Sequence, residues 1–188
     1  MKTIGSYKSI LLLILLTSLI QACQQDPLPV NESELITTLT YTLTSPIADS
    51  VVLTFEDLDG DGGKNPVLKV TGPLQANTTY SGKLILLNQS VVPMDTISNE
   101  IIAEANDHQF FFLASNPLGI IFQYDDADSN GRPIGVKTKL QTSTVGLGKL
   151  KIILRHMPDK NALHVVSGDI TNASGETDIE VEFDLEVK

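Results

Sequence analysis

The chain has 188 residues, of which 41% are hydrophobic and 19% are charged, and its formal net charge at pH 7 is −10. This length and composition fit one globular domain once a targeting segment is removed. A protein this acidic repels nucleic acid and anionic lipid headgroups, so nucleic acid is excluded as a partner and cations are favoured.

Residues 1–22 predict a lipoprotein signal peptide. Lys2 and Lys8 supply a positive start, and the apolar run at residues 10–20 falls short of the roughly 20 residues that a spanning helix needs. Ile20-Gln21-Ala22-Cys23 resembles the lipobox of bacterial lipoproteins, in which the cysteine is lipidated and becomes the first mature residue. The alternative is an ordinary secretory signal with a cysteine near its cleavage site. Cys23 is the chain's single cysteine and stands where the lipobox requires it, which favours lipidation.

Residues 23–33, which include Pro27 and Pro29, predict a tether between the lipid and a folded domain at residues 34–188. The acyl chains that the lipobox resemblance implies would anchor the protein stably, at about 0.8 kcal/mol per buried CH₂. We therefore expect a protein of the cell envelope bound to the lipid membrane through acylated Cys23. The outer membrane is the favoured location, and the sequence leaves open whether the protein faces the periplasm or the cell surface.

The first part of the domain has apolar residues at every second position, which is typical of β-strands with one buried face. Leu39, Tyr41 and Leu43 alternate with threonines, and Pro46 ends this first strand. The pattern predicts strands at residues 35–44, 51–55, 67–71 and 80–87.

The spacing then changes to that of a helix between Asp95 and Asp107, where Ile97, Ile101 and Ile102 recur on one face. We expect a short helix with Asp95 or Ser98 as its N-cap, packed across an open end or edge of the sheets. Strands are predicted to resume at residues 109–113, 119–124, 136–142, 150–155 and 178–187.

The last strand has the clearest alternation. One face is apolar, and the other consists entirely of acids, namely Asp178, Glu180, Glu182, Asp184 and Glu186. Such a strand should lie with its apolar side on a core and its acidic side in water. The polar stretch before it, Asp169 to Asp178, predicts a solvated hairpin loop, since charged loop residues usually face water.

About ten short strands, one short helix and many Gly, Pro and Asn turns predict an all-β fold, an antiparallel immunoglobulin-like β-sandwich. A parallel α/β fold would need a helix between most strands. Two acidic turns, at residues 57–63 and 126–131, follow similar strands, and the segments 82–87 and 148–154 also resemble each other. These echoes suggest a duplicated β unit.

Several stretches along the chain resemble those of a group of small Gram-negative envelope lipoproteins: Leu35-Ile36-Thr37-Thr38-Leu39-Thr40-Tyr41, Asp59-Gly60-Asp61-Gly62-Gly63, His108-Gln109-Phe110-Phe111-Phe112 and Gly175-Glu176-Thr177-Asp178-Ile179-Glu180-Val181. The resemblance implies an envelope lipoprotein and assigns no activity. Some members of the group are described as periplasmic-binding folds, whereas the strand pattern of this chain predicts an all-β fold.

The two acidic turns match the first half of a calcium loop, in which oxygens at positions 1, 3 and 5 face one centre and a glycine allows the sharp turn. The candidate ligands are Asp57, Asp59 and Asp61 in the first turn, and Asp126, Asp128 and Asn130 in the second.

Position 12, where a calcium loop carries a bidentate glutamate, is Leu68 in the first turn and Lys137 in the second, so these are not EF-hands. Truncated calcium loops remain open, with further oxygens from Glu56, Asp125, carbonyls or water. The alternative is a pair of hairpin turns that use Asp and Gly for their backbone geometry. The convergence of acids and its repetition favour weak Ca²⁺ binding, at about 10⁻⁴ to 10⁻³ M.

The sequence contains no recognised catalytic motif. His108, His156 and His164 have no neighbouring partner at metal-ligand spacing, which favours ordinary surface or half-buried histidines. We therefore expect a non-enzymatic binding or structural module that meets an unknown envelope protein or ligand. The alternative is a solute-binding or enzymatic accessory lipoprotein of an envelope uptake system.

Overall fold

The computed structural model describes residues 35–60, 63–115 and 118–188. These described residues belong to one compact unit. The signal peptide, Cys23, the tether and the turn residues Asp61 and Gly62 lie outside the described residues.

Nine strands and one α-helix are found in the described part of the chain. In chain order they are β1 (Thr38–Thr44), β2 (Val51–Glu56), β3 (Val67–Val70), β4 (Thr79–Leu87), α1 (Ile97–Ala103), β5 (His108–Ala114), β6 (Ile121–Tyr124), β7 (Lys137–Gln141), β8 (Gly146–His156) and β9 (Glu176–Val187). Two short 3-10 helices, Val165–Ser167 and Ile170–Asn172, lie in the connection between β8 and β9.

Six strands form a large antiparallel sheet in the order β3-β2-β1-β4-β7-β6. Its central strand, β1, buries Leu39, Tyr41 and Leu43 completely, as the period-two pattern predicts. The Tyr41 hydroxyl shares a hydrogen bond of 2.6 Å with Thr138 Oγ1 of β7, so this buried polar group is satisfied.

The other three strands form a small antiparallel sheet in the order β5-β8-β9. Phe110 of β5 pairs with Leu154 of β8, and Ile152 pairs with Val181 of β9. These side chains join those of the large sheet in one hydrophobic core. The predicted antiparallel β-sandwich is therefore confirmed, with nine described strands where the sequence predicts about ten.

The helix is shorter than predicted. It runs from Ile97 to Ala103, and its N-cap residue is Thr96, which makes no side-chain cap hydrogen bond. Ser98 lies inside the helix, where its Oγ accepts a hydrogen bond of 2.5 Å from the backbone N–H of Leu86 in β4. The N-cap prediction of Asp95 or Ser98 is thus wrong, because Ser98 instead links the helix to the sheet.

The topology does not support equivalent roles for the two halves of the suspected duplication. The hairpins β2–β3 and β6–β7 lie at opposite edges of the large sheet, but β3 is the edge strand of the first and β6 that of the second. The similar segments 82–87 and 148–154 also separate, since β4 belongs to the large sheet and β8 to the small one. The suspected duplication therefore stays a prediction.

Lysines of the small sheet partly neutralise the acidic outer face of β9. Lys149 on β8 lies 2.7 Å from Glu182 and 3.2 Å from Asp184, and Lys151 contacts Glu180. Cross-strand pairs of opposite charge stabilise a sheet modestly, and they reduce the repulsion between neighbouring carboxylates on such a face. The prediction that the acids of this face lie in water therefore holds for the four lysine-paired surface residues, whose side chains are between 41% and 89% exposed: Glu180, Glu182, Asp184 and Glu186.

Candidate functional site: a buried histidine–aspartate cluster beside an end groove

In the first acidic turn the described carboxylates cap the backbone of the turn itself. Asp57 Oδ1 accepts a hydrogen bond of 2.9 Å from the N–H of Gly60, and Asp59 Oδ2 accepts one of 3.0 Å from the N–H of Lys64. Gly60 has a φ of +70°, which a glycine adopts without strain. The chemistry of a hairpin turn explains these contacts, and Asp61 lies outside the described residues.

In the second acidic turn Asp126 fastens the turn to the strand that follows it. Its two carboxylate oxygens accept hydrogen bonds of 2.7 Å each, one from the N–H of Gly135 and one from the N–H of Lys137. Asn130 uses its side-chain amide to donate to Asn106 Oδ1 at 2.9 Å. These hydrogen bonds do not direct Asp126 or Asn130 toward a common centre with Asp128.

Asp128 is the best-held acid of the second turn. Its Oδ1 accepts hydrogen bonds from the N–H groups of Asn130 and Arg132 at 2.8 and 2.9 Å, and its Oδ2 lies 3.0 Å from Lys160 Nζ. Burial by itself would raise the pKa of this carboxyl, but the hydrogen bonds and the ammonium outweigh it and hold the pKa below its usual range.

Lys160 supplies the second turn with a cation from within the chain. Its Nζ donates to the carbonyls of Ala105 and Pro133 at 2.6 and 3.0 Å as well as to Asp128, so all three of its protons have acceptors. The side chains of Lys160 and Asp128 are 4% and 1% exposed. The ammonium therefore neutralises the turn where the sequence suggests a calcium ion.

The metal prediction stays a prediction for both turns. Among residues 35–60, 63–115 and 118–188, no group of three or more His, Cys, Asp or Glu side chains is arranged to hold a metal ion. Carbonyls and water can still complete a weak site at the first turn. At the second turn an added cation would have to compete with the Lys160 ammonium.

Two of the three histidines form a buried pair that the sequence analysis did not predict. His108 opens β5 and His156 ends β8, and they are directly opposite each other across the two strands. Their rings stack with centroids 4.7 Å apart and planes 9° apart. The residues are 2% and 6% exposed, so the expectation of ordinary surface or half-buried histidines is wrong for both.

Asp178 joins the histidine pair because of a β-bulge. Leu154 of β8 pairs with Ile179, whereas Arg155 pairs with Thr177, so Asp178 is the extra residue between them. A bulge of this kind re-aims a side chain. The Asp178 side chain is 5% exposed and its Oδ2 lies 3.9 Å from His108 Nε2, so the predictions of a solvated loop and an outward acidic face are wrong for this residue.

The proton on His108 can be placed from its other contact. His108 Nδ1 lies 3.1 Å from the carbonyl oxygen of Glu104, which only accepts, so Nδ1 carries a proton. In a neutral imidazole Nε2 is then an acceptor and faces a second acceptor, the Asp178 carboxylate. One further proton, on Nε2 or on the carboxyl, makes this contact attractive.

The environment of Asp178 disfavours its charge. Burial raises the pKa of its carboxyl, the charges of His108 and His156 oppose that rise, and Glu176 adds to it. A raised pKa in the folded state means that the contribution to stability is present at low pH and is lost as the pH rises through the folded pKa. At neutral pH an ionised Asp178 therefore costs stability.

The nearby histidines offset this cost only in part, and no hydrogen bond to Asp178 Oδ2 within the described residues adds to them. Asp178 Oδ2 is buried and has no hydrogen-bond partner among the described residues. Buried polar atoms without partners are rare in folded proteins, and each calls for an explanation such as an unseen ligand or a functional role. Asp178 is thus a residue that folding alone does not explain.

Asp178 also lines an open groove of about 660 Å³ at one end of the sandwich. We call this the end groove. Its lining comes from the first acidic turn and the residues that follow it, from the start of β9, from Phe55 of β2 and from the chain leading into β1. Its lining residues are Leu35, Ile36, Phe55, Asp57, Gly60, Gly63, Lys64, Asn65, Pro66, Asp178, Ile179 and Glu180.

Comparison of the chain with known protein families, with curated proteins and with solved structures gave no match. Across the described ranges no helix is long and apolar enough to cross a membrane. The assignment of a function therefore rests on the residues and the geometry above.

Proposed function

We propose that this protein is a non-enzymatic binding module of the cell envelope, anchored in the lipid bilayer through Cys23, with the end groove as its binding surface. The observation that carries the proposal is Asp178, a buried carboxylate that costs stability and lines the end groove. Residues that break the rules of folding without a local gain are expected at functional sites.

The burial of the histidines favours binding over catalysis. A general acid or base must come within hydrogen-bond reach of a substrate proton, either directly or through one water. His108 and His156 are 2% and 6% exposed and are not among the lining residues of the end groove. Asp178 both lines the groove and lies 3.9 Å from His108, so the pair can influence a ligand through the charge of Asp178.

The second candidate function is a solute-binding lipoprotein of an envelope uptake system. A volume of about 660 Å³ favours it, because small-molecule sites usually span roughly 300–1,000 Å³. The open form of the groove suits an exposed protein segment equally well. Binding of a free small molecule with full affinity would support this second candidate over a module that recognises a partner protein.

The anchor itself gives the first test. In a Cys23→Ala variant the acyl chains have no attachment point, so we expect the protein to leave the membrane fraction almost completely. The measurement is fractionation of cells followed by immunoblotting, with wild type alongside. A Ser33→Ala variant, changed in the tether instead, should stay with the membrane. Retention of Cys23→Ala in the membrane fraction would show that the lipobox interpretation is wrong.

Calcium gives a second test, at the first acidic turn. If Ca²⁺ binds there, a concentration ten times Kd stabilises the fold by about 1.4 kcal/mol, and chelator removes the effect. We expect a higher melting temperature of the detergent-solubilised full-length protein in millimolar calcium, and loss of the shift in Asp59→Ala.

The control for the calcium experiment is Asp184→Ala, since that side chain is 89% exposed and lies outside both turns. It should keep the calcium shift of wild type. An unchanged melting temperature of wild type in millimolar calcium removes the metal from the account, and an unchanged shift in Asp59→Ala removes this site.

A further inference from the structure

The charges around the end groove have one dominant sign. Asp57, Asp178 and Glu180 contribute three carboxylates, and Lys64 is the one lysine among the described lining residues. The whole chain carries a net charge of −10, so no distant excess of positive charge cancels this local field. Anionic ligands are therefore repelled from the groove and cationic ones are attracted.

The three carboxylates are not equivalent. Asp57 is engaged with the N–H of Gly60, and Glu180 is paired with Lys151. Asp178 alone combines a 5% exposed side chain with a buried oxygen that makes no hydrogen bond in the described structure. A donor that arrives from the groove would bond to this carboxylate in surroundings from which most water is already excluded, where charge-assisted hydrogen bonds are strongest.

The end groove also has apolar lining residues. Leu35, Ile36, Phe55, Pro66 and Ile179 line it, together with the polar side chain of Asn65. Leu35 is 52% exposed, so apolar surface is open for contact there. A ligand that fits has a cationic head for Asp178 and an apolar stem for these side chains.

At Asp178 a bare metal ion fits less well than an organic cation. The described residues contain no group of three metal-binding side chains. A divalent ion would need several oxygens within about 2.6 Å, whereas an ammonium needs acceptors at ordinary hydrogen-bond distance.

We propose that the end groove binds an organic cation, a primary ammonium with an apolar stem, with Asp178 as its counter-ion and the stem against Leu35, Ile36 and Phe55. This inference rests on the proposed function and names the ligand class of the same groove. The same chemistry is presented by a free alkylamine and by a lysine side chain of a partner protein.

The buried carboxyl of Asp178 makes this binding dependent on pH. Asp178 faces His108 from β5, His156 from β8 and Glu176 on its own strand, while Asp57, Glu180 and Lys64 surround the groove. Protonation of the carboxyl removes the counter-ion. Because burial raises the pKa of Asp178, affinity should fall as the solution is acidified through that raised value.

The experiment is calorimetric titration of the detergent-solubilised full-length protein with n-pentylamine, which is an ammonium at neutral pH. Neutral 1-pentanol is the isosteric control, and a short blocked peptide with one central lysine tests the second source of the ammonium. We expect millimolar binding of the amine or of the peptide, no measurable binding of the alcohol, and weaker binding at low pH. The tighter of the two cationic ligands identifies the source.

Matched variants locate the site. Asp178→Asn should weaken binding by about tenfold or more while its melting temperature at neutral pH is equal to or above that of wild type. Glu182→Gln removes one negative charge from the same strand outside the groove and should leave affinity unchanged. Lys64→Met removes the opposing charge of an exposed side chain and should strengthen binding roughly threefold. This last variant tests the site even if Asp178→Asn fails to fold.

The outcomes divide clearly. The inference is overturned if neither cation binds, if the alcohol binds as well as the amine, or if Glu182→Gln weakens binding as much as Asp178→Asn. A protein that fractionates with the membrane through Cys23 but binds neither cation would lose this inference and keep its anchor. If the protein binds the amine but its Cys23→Ala variant stays in the membrane fraction, this inference is kept and the lipid anchor is lost.

Discussion

Replacement of Lys160 by methionine should destabilise the fold by about 3–5 kcal/mol, because it leaves Asp128 as an unpaired buried charge. The Asp128 side chain is 1% exposed and loses a partner at 3.0 Å, while the carbonyls of Ala105 and Pro133 lose their donor. Methionine fills much of the same volume, so the effect reports on the ammonium. The measurement is equilibrium unfolding in urea at neutral pH.

The control for Lys160 is Lys69→Met on the exposed strand β3, which should change stability by less than roughly 0.5 kcal/mol. The double variant Lys160→Met with Asp128→Asn removes both charges and should recover a large part of the loss. Equal small effects of Lys160→Met and Lys69→Met would contradict the assignment of Lys160 as the internal cation of the second turn.

Gly175→Ala should cost roughly 2–4 kcal/mol, since it combines a strained backbone with a steric clash. Gly175 has a φ of +72°, and a Cβ there would lie 2.3 Å from the backbone carbonyl oxygen of His156. Relief of the clash requires a shift of the start of β9 away from β8. Such a shift would separate Asp178 from His108, so amine binding should fall together with stability.

Gly131→Ala is the matched control for Gly175, because its φ is +75° and a Cβ there meets nothing within 4 Å. It should cost only the backbone strain, about 1–2 kcal/mol. Comparison of the two melting curves separates strain from clash. Equal losses would show that the close approach to His156 has no energetic consequence.

The sandwich follows from the sequence because each strand with one buried face carries a visible period of two. β9 shows this best, with Val181, Phe183 and Leu185 buried as the alternation predicts. The helix was located correctly, but its cap was not. Ser98 is a good N-cap residue by type, and only the position of β4 shows that its hydroxyl is used there instead.

The candidate site was harder to predict because it depends on register. His108 starts one strand and His156 ends another, and two such ends meet only if the strands are antiparallel neighbours. The sequence positions of the two histidines therefore predict their contact only when the pairing of β5 with β8 is known. The bulge that brings in Asp178 left no signal in the sequence, since it breaks the alternation that places the other acids of β9 outside.

Lys160 explains why the calcium pattern is a weak guide to metal. The spacing of the acidic residues predicts where their oxygens lie, but it does not predict which cation binds to them. At the second turn this cation is the ammonium of Lys160, which lies 32 residues along the chain from Asp128. The first turn offers no such partner among its described contacts, so calcium remains a prediction to be tested there.

The end groove and its buried carboxylate are the centre of this account, and chemical-shift mapping tests them most directly. Isotopically labelled full-length protein in detergent would be titrated with n-pentylamine at neutral pH, with backbone amides and histidine ring nitrogens observed together. We predict saturating shifts confined to residues around Lys64, Asp178 and Ile179, together with a response of His108 Nε2. Shifts centred on the outer acids Glu182 and Asp184, with His108 unmoved, would contradict the account.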